Sequence, residues 1–387
     1  MRDFHIDDHA IRRILDHRSD CTRDPVGTLS RAERHEGLSV DEMGALWTTP
    51  ALGSDLLYRT AREIRKRRGH RLETFSPLYL TNTCDAECRM CGMRRDNDVL
   101  VRETATPEQA IRQLETLVRR GVRGVAILTG EYRASTRPWA LALVNQVLRA
   151  TQDLGFRHVL INVGAIDAPE YDTLLAGLSR ETDGAIRPQV TMCTFQESYS
   201  RAVYAKFMGT DPANPRADFD RRLTNFDRAF DAGLRVANPG ILVGLNPDLG
   251  YELVALALHA RHLREKGMDV YLSVPRLRQI AGRGAFRGAA DADFIRLVAI
   301  LSMGLPDCKI VITTREAPAM QHTLAPIVSV ISAGSSAVAP YTEAGARFPL
   351  EASQFEVIDQ RPFEAILREH LAHGGAIENF SPAPGAA

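Results

Sequence analysis

The stretch "TPEQAIRQLETLVRRGVRGVAILTG", residues 106–130, sets the fold. Thr106 is a helix N-cap, Pro107 suits the first helical position, and Gln109 falls where a capping box needs it. Ala110, Leu114, Leu117 and Val118 form one apolar stripe, and Gly121 ends the helix. The run "GVAILTG" at 124–130 is then continuously apolar, as a parallel strand covered on both faces must be. A helix feeding a buried strand is one step of a βα alternation.

The same alternation extends to both sides. Strand-like runs recur as "FSPLYLT" (75–81), "HVLINVG" (158–164), "QVTMCTF" (189–195) and "GILVGL" (240–245). They continue as "VYLSVP" (270–275), "KIVITT" (309–314) and "IVSVIS" (327–332). About eight units over roughly 260 residues predict an α/β fold, a (β/α)₈ TIM-type barrel. An open six-unit barrel or a doubly wound sheet is the alternative. No G-x-G-x-x-G follows the first strand and there is no P-loop, so nothing points to a dinucleotide or nucleoside triphosphate.

Residues 1–69 read as an N-terminal helical cap, 70–365 as the barrel, and 366–387 as a tail whose end, "ENFSPAPGAA", is loose. Helices are expected at 5–17, from Ser39 onward, and at 54–66, with the polar "DPVGTLSRAERHEG" as a loop between them.

Lys plus Arg equals Asp plus Glu at 48 each, which excludes the basic surplus of a general nucleic-acid binder. The run Arg65–Arg68 precedes Gly69 and reads as a solvated helix end. No apolar run reaches the ~18 residues of a membrane span, and the charged N-terminus lacks a signal peptide's apolar core. A cytoplasmic protein is expected, and there clustered cysteines mean metal or redox chemistry.

Three of the six cysteines, Cys84, Cys88 and Cys91, stand within eight residues in "SPLYLTNTCDAECRMCGMRRDN". The loop follows the first strand, on the barrel face where active sites are built. Thiolates suit zinc or iron–sulfur clusters. A structural zinc site closes with four ligands, whereas a four-iron cluster on three cysteines leaves one iron open to a ligand.

The Cys-x₃-Cys-x₂-Cys spacing resembles that of radical S-adenosylmethionine enzymes. "LTGEY" resembles the family's glycine–glutamate segment, with Gly130 and Glu131 implied to hold the methionine amino group of the cofactor. Thr129 stands where many members carry a first glycine, and Met90 where an aromatic is common. "FQESY", "NPGILVGL", "LSVPRLR" and "ITTRE" resemble the aromatic amino acid lyases. "VTMCTFQESY", "VISAGSSAVAPY" and "SQFEVIDQRP" resemble the tryptophan lyases of nosiheptide-type thiopeptide biosynthesis.

The resemblance implies a [4Fe–4S] cluster, S-adenosylmethionine, and a one-electron donor such as flavodoxin or ferredoxin. It implies that a 5′-deoxyadenosyl radical takes hydrogen from the amine of L-tryptophan. Side-chain fragmentation and carboxyl migration then give 3-methyl-2-indolic acid. The alternatives are a tyrosine lyase giving p-cresol and dehydroglycine, a non-catalytic iron–sulfur carrier or sensor, and a zinc-binding module.

Arg315 is the implied carboxylate clamp, since a guanidinium fork matches a carboxylate; its bland reading is an ion pair with Glu316. Ser332 is a second substrate contact or a helix N-cap. Tyr79 handles a proton of the substrate amine or is a core tyrosine. Glu197 and Arg276 contact the cofactor or belong to an ion-pair layer at the barrel mouth. Cys21, Cys193 and Cys308 read as ordinary thiols.

Overall fold

The computed structural model describes residues 3–16, 24–34, 37–69, 71–178, 188–284, 286, 288–334, 350–372 and 376–381. Four helices come first: α1 (Asp8–Asp16), α2 (Pro25–Glu33), α3 (Val40–Thr48) and α4 (Ser54–Arg67). The α2 helix lies where a loop was expected. Asp24 caps it by accepting from the Gly27 amide, and Pro25 opens it. In α3 the Ser39 and Glu42 side chains close a reciprocal capping box.

Eight parallel strands follow: β1 (Leu72–Tyr79), β2 (Gly124–Leu128), β3 (His158–Asn162), β4 (Gln189–Glu197), β5 (Val236–Ile241), β6 (Asp269–Ser273), β7 (Lys309–Thr313) and β8 (Val330–Ser332). Each pairs with the next, and β1 pairs with both β2 and β8, so the sheet closes into a barrel. The β5 strand lies four residues before its expected start. It carries Asn238 and Pro239 through the middle of the sheet.

The connections carry α5 (Pro107–Arg119), α6 (Arg137–Asp153), α7 (Ala168–Leu175), α8 (Arg201–Met208), α9 (Phe219–Leu223), α10 (Asn225–Asp231), α11 (Leu249–Glu265), α12 (Asp291–Gly304) and α13 (Pro318–Leu324). The α5 helix has its capping box at Thr106 and Gln109. The N-terminal helices cover the flank of the barrel: α3 packs on α11 and α12, and α4 on α12. Arg296 of α12 is buried and donates to the carbonyls of Trp47 and Thr49, tying the α3–α4 turn to the barrel.

The C-terminal segment is more ordered than its composition implies. Beyond α14 (Phe363–Ala372), β9 (Ile377–Glu378) adds in parallel to the start of β1. Phe380 is buried beside Phe363 and bridges Val122. Asn379 reaches Glu73 on the barrel floor. Residues 382–387, including the last part of the expected loose end, lie outside the described residues. Among the described residues no helix is long and apolar enough to cross a membrane.

Candidate active site

The carboxyl ends of the strands enclose a cavity of about 1210 Å³, its open mouth included. Side chains of alternate residues point into it, as the pleat requires: Phe75, Pro77 and Tyr79 from β1, Val311 and Thr313 from β7.

Cys84, Cys88 and Cys91 all line this cavity. The loop that carries them is stitched internally. Arg102 donates to the carbonyls of Asn82, Met93 and Arg94, and Asn97 to that of Gly92. The amides of Ala86 and Glu131 lie 3.4 and 3.3 Å from Cys84 Sγ, where they would stabilise a thiolate. Burial pushes the Cys84 thiol up to about 12 and raises Cys88 and Cys91, so thiolates here require a neighbouring cation. Among the described residues no three metal-binding side chains converge on a single ion. A cluster binds thiolates at its corners, and the donor set of three soft thiols fits one.

Gly130 has a steric role. A Cβ there would lie 2.2 Å from the Thr83 carbonyl oxygen and 2.8 Å from Cys84, so only glycine lets β2's end pack on the cysteine loop. Glu131 lines the cavity, yet its carboxylate is already engaged. It accepts from the Ala165 amide at 3.1 Å and from Arg222 at 2.7 Å. Gly164, at φ +78°, leaves the space for it.

Glu197 ends β4 at a bulge, with φ +66°, a left-handed conformation uncommon for glutamate. Such strain is held by its surroundings and clusters at functional sites. Its carboxylate accepts from Arg216 at 2.7 Å. Arg216 and Arg222 were not singled out from the sequence. Arg216 is enclosed by Cys88, Glu131 and Glu197, and its Nε is buried with no hydrogen-bond partner among the described residues. Both arginines lie in the long connection after β4, where nothing local marks them.

Arg315 reaches the cavity and its guanidinium lies over the Phe355 ring. Burial lowers its pKa, and no described carboxylate pairs with it. Glu316 pairs instead with Arg276 and Arg278. Arg276 stands outside the cavity lining, held between Glu316 and Asp291, so it belongs to an ion-pair layer. Tyr79 is buried and donates to Gln354 Oε1 at 2.7 Å; burial raises its pKa, making it a neutral phenol. Ser332 is buried on the cavity wall, and the segment where a helix would follow it lies outside the described residues.

Cys193 shares the cavity and donates to Asn238 Oδ1, so it is more than an apolar filler. Cys308 is buried in the main core. Cys21 lies outside the described residues.

A closed parallel barrel with three cysteines on its first βα loop, lining a cavity at the carboxyl ends of the strands, is the plan of a radical S-adenosylmethionine enzyme. Comparison with known proteins agrees. The chain is 26% identical over 352 residues to 2-iminoacetate synthase of Escherichia coli K12, covering 89% of this chain and 88% of that protein. It is similar to the crystal structure of HydG, a maturase of the [FeFe]-hydrogenase, with a TM-score of 0.81 and 29% identity. That alignment covers 97% of this chain and 81% of HydG. Methylornithine synthase (PylB) shares the fold, with a TM-score of 0.70 at 18% identity over 90% of this chain and 97% of that one. No family model matches the chain. These likenesses support a radical S-adenosylmethionine lyase, with a [4Fe–4S] cluster and S-adenosylmethionine as its cofactors.

Proposed function

We propose that the protein converts L-tryptophan to 3-methyl-2-indolic acid. The observation that carries this reading is Arg315: a half-buried guanidinium without a described carboxylate, in the cavity that the three cysteines line. A cation desolvated in this way invites an anionic ligand, and a planar fork suits the carboxylate of a free amino acid. Phe355, stacked on the guanidinium, holds the fork in one plane.

When bound, the cluster and S-adenosylmethionine supply a radical that abstracts hydrogen. The chain's residues bind and orient. Cys84, Cys88 and Cys91 would ligate the cluster. Glu197 and Arg216 form a charged pair beside it, matched to the cofactor's amino and carboxylate groups. Arg315 and Ser332 would hold the substrate carboxylate while the fragment it belongs to migrates. Tyr79, a neutral phenol whose O–H goes to Gln354, would accept a hydrogen bond from the amine and does not act as a phenolate base. The one-electron donor is a flavodoxin or ferredoxin.

The likeness to 2-iminoacetate synthase favours a second reading, Cα–Cβ cleavage of tyrosine. One anaerobic assay separates the two. The reconstituted protein receives dithionite and S-adenosylmethionine with either L-tryptophan or L-tyrosine, and products are read by mass spectrometry. 3-Methyl-2-indolic acid with 5′-deoxyadenosine supports the proposal, and p-cresol moves the protein to the tyrosine reading.

A further inference from the structure

The deep wall of the cavity is apolar on most sides: Phe75, Ala126, Leu160 and Val311 line it and pack in one cluster. Three polar groups from adjacent strands interrupt it. Cys193 on β4, Asn238 on β5 and Ser273 on β6 all face the cavity, and Asn238 and Ser273 are only 1% and 2% exposed. Polar groups set in an apolar layer must find hydrogen-bond partners, and these three find them in one another and in the backbone.

Their mutual bonding leaves one capacity open. Asn238 Nδ2 donates to the Tyr271 carbonyl at 2.9 Å and lies 3.0 Å from Ser273 Oγ. Asn238 Oδ1 receives Cys193 Sγ at 3.3 Å and Ser273 Oγ at 3.2 Å. Ser273 Oγ either accepts from Asn238 Nδ2 or donates to Oδ1, and in both arrangements at least one lone pair of this cavity-lining oxygen stays unused. The walls beside it are flat. A Cβ at Gly240 would lie 2.6 Å from the Phe195 ring, so the ring occupies that space.

Ser273 pairs in register with Val311, and Arg315 lies four residues further along the same segment. β7 ends at Thr313 and the chain turns there, so Arg315 lies beyond the strand end, nearer the mouth than Ser273.

We propose that Ser273, positioned by Asn238, determines ring specificity by accepting a hydrogen bond from the ring N–H of the substrate. This rests on the tryptophan reading above.

The test compares L-tryptophan with its benzothiophene isostere, in which sulfur replaces the N–H. Equilibrium binding of each is measured calorimetrically and anaerobically on the cluster-loaded protein with S-adenosylmethionine. The wild-type protein should prefer tryptophan by about tenfold or more, the worth of one buried hydrogen bond. Ser273→Ala should bring the two affinities together by weakening tryptophan alone, and Ser273→Thr, which keeps the hydroxyl, should restore the preference. A preference that survives in Ser273→Ala, or is absent in the wild type, overturns the inference and leaves tryptophan turnover standing. Binding of L-tyrosine with no binding of tryptophan overturns both.

Discussion

Arg315 and Glu316 are neighbours in sequence, and their side chains go to different places. Glu316 turns outward to Arg276 and Arg278, while Arg315 turns into the cavity and stacks on Phe355. One side of a strand end thus supplies a closed ion-pair layer, and the other an open cation.

That division makes Arg315 the most informative substitution. Arg315→Ala removes the fork and should raise the substrate KM by about 100-fold, the loss of one or two charge-assisted hydrogen bonds. Arg315→Lys keeps the charge without the bidentate geometry and should fall between. Far-ultraviolet circular dichroism should not change. A KM within twofold of wild type for Arg315→Ala would remove this residue from substrate binding.

The cysteine loop predicts a second result. Cys88 is the most buried of the three thiols and lies beside Arg216. Cys88→Ala should leave the barrel folded, since the loop is held by Arg102 and Asn97, and should abolish 5′-deoxyadenosine formation. Iron and sulfide analysis after reconstitution checks this directly. A full complement of iron with undiminished turnover would mean that Cys88 is not a ligand.

Glu131 carries two demands at once. It lines the cavity, and it forms a buried pair with Arg222, whose side chains are 6% and 4% exposed. Removing one partner of a buried pair strands the other charge, at a cost of about 3–5 kcal/mol. Glu131→Ala should therefore lower the urea midpoint of unfolding as well as activity. An unchanged midpoint would assign this residue to the site alone.

The barrel was legible because each unit carries its own signals: the capping box at Thr106, the continuous apolar strands, the glycine stops. The misreadings have physical causes. Pro239 cannot donate to a sheet ladder, so "VANPGI" did not look like a central strand, although β5 is one. The α2 helix was masked by its polar residues, despite the Asp24–Pro25 start signal that a cap and first-turn proline provide. In the site, the cysteines and Arg315 could be singled out because they lie just past strand ends, and the structure brings them to one cavity. Arg216 and Arg222 were not, because a charged residue in a long connection reveals its role only through the tertiary fold. Arg276 had the right position at a strand end, and its side chain nonetheless points away from the cavity.

The barrel floor gives the last prediction, a pH dependence with a defined sign. Glu73 is buried where β1 begins. Burial raises its pKa, but the hydrogen bond and charge of His158, with Lys309, outweigh this and hold it at about 2, below the ordinary 4.5. Tyr271 and Asn379 donate to the same carboxylate, so the C-terminal segment is tied to its charge. A depressed carboxylate stabilises the fold fully above the unfolded value and loses that contribution as pH falls through the folded one. Stability should thus decline from about pH 4.5 toward pH 2. Glu73→Gln should be less stable at neutral pH and show a shallower acid slope over the same window, measured by urea unfolding at stepped pH. Phe380 should detach with the loss of this charge, because β9 and Asn379 hold the segment to β1. Proteolysis at the C-terminus, faster in Glu73→Gln than in wild type at neutral pH, would report it, and equal rates would show that backbone pairing and Phe380 packing hold the segment without the Glu73 charge.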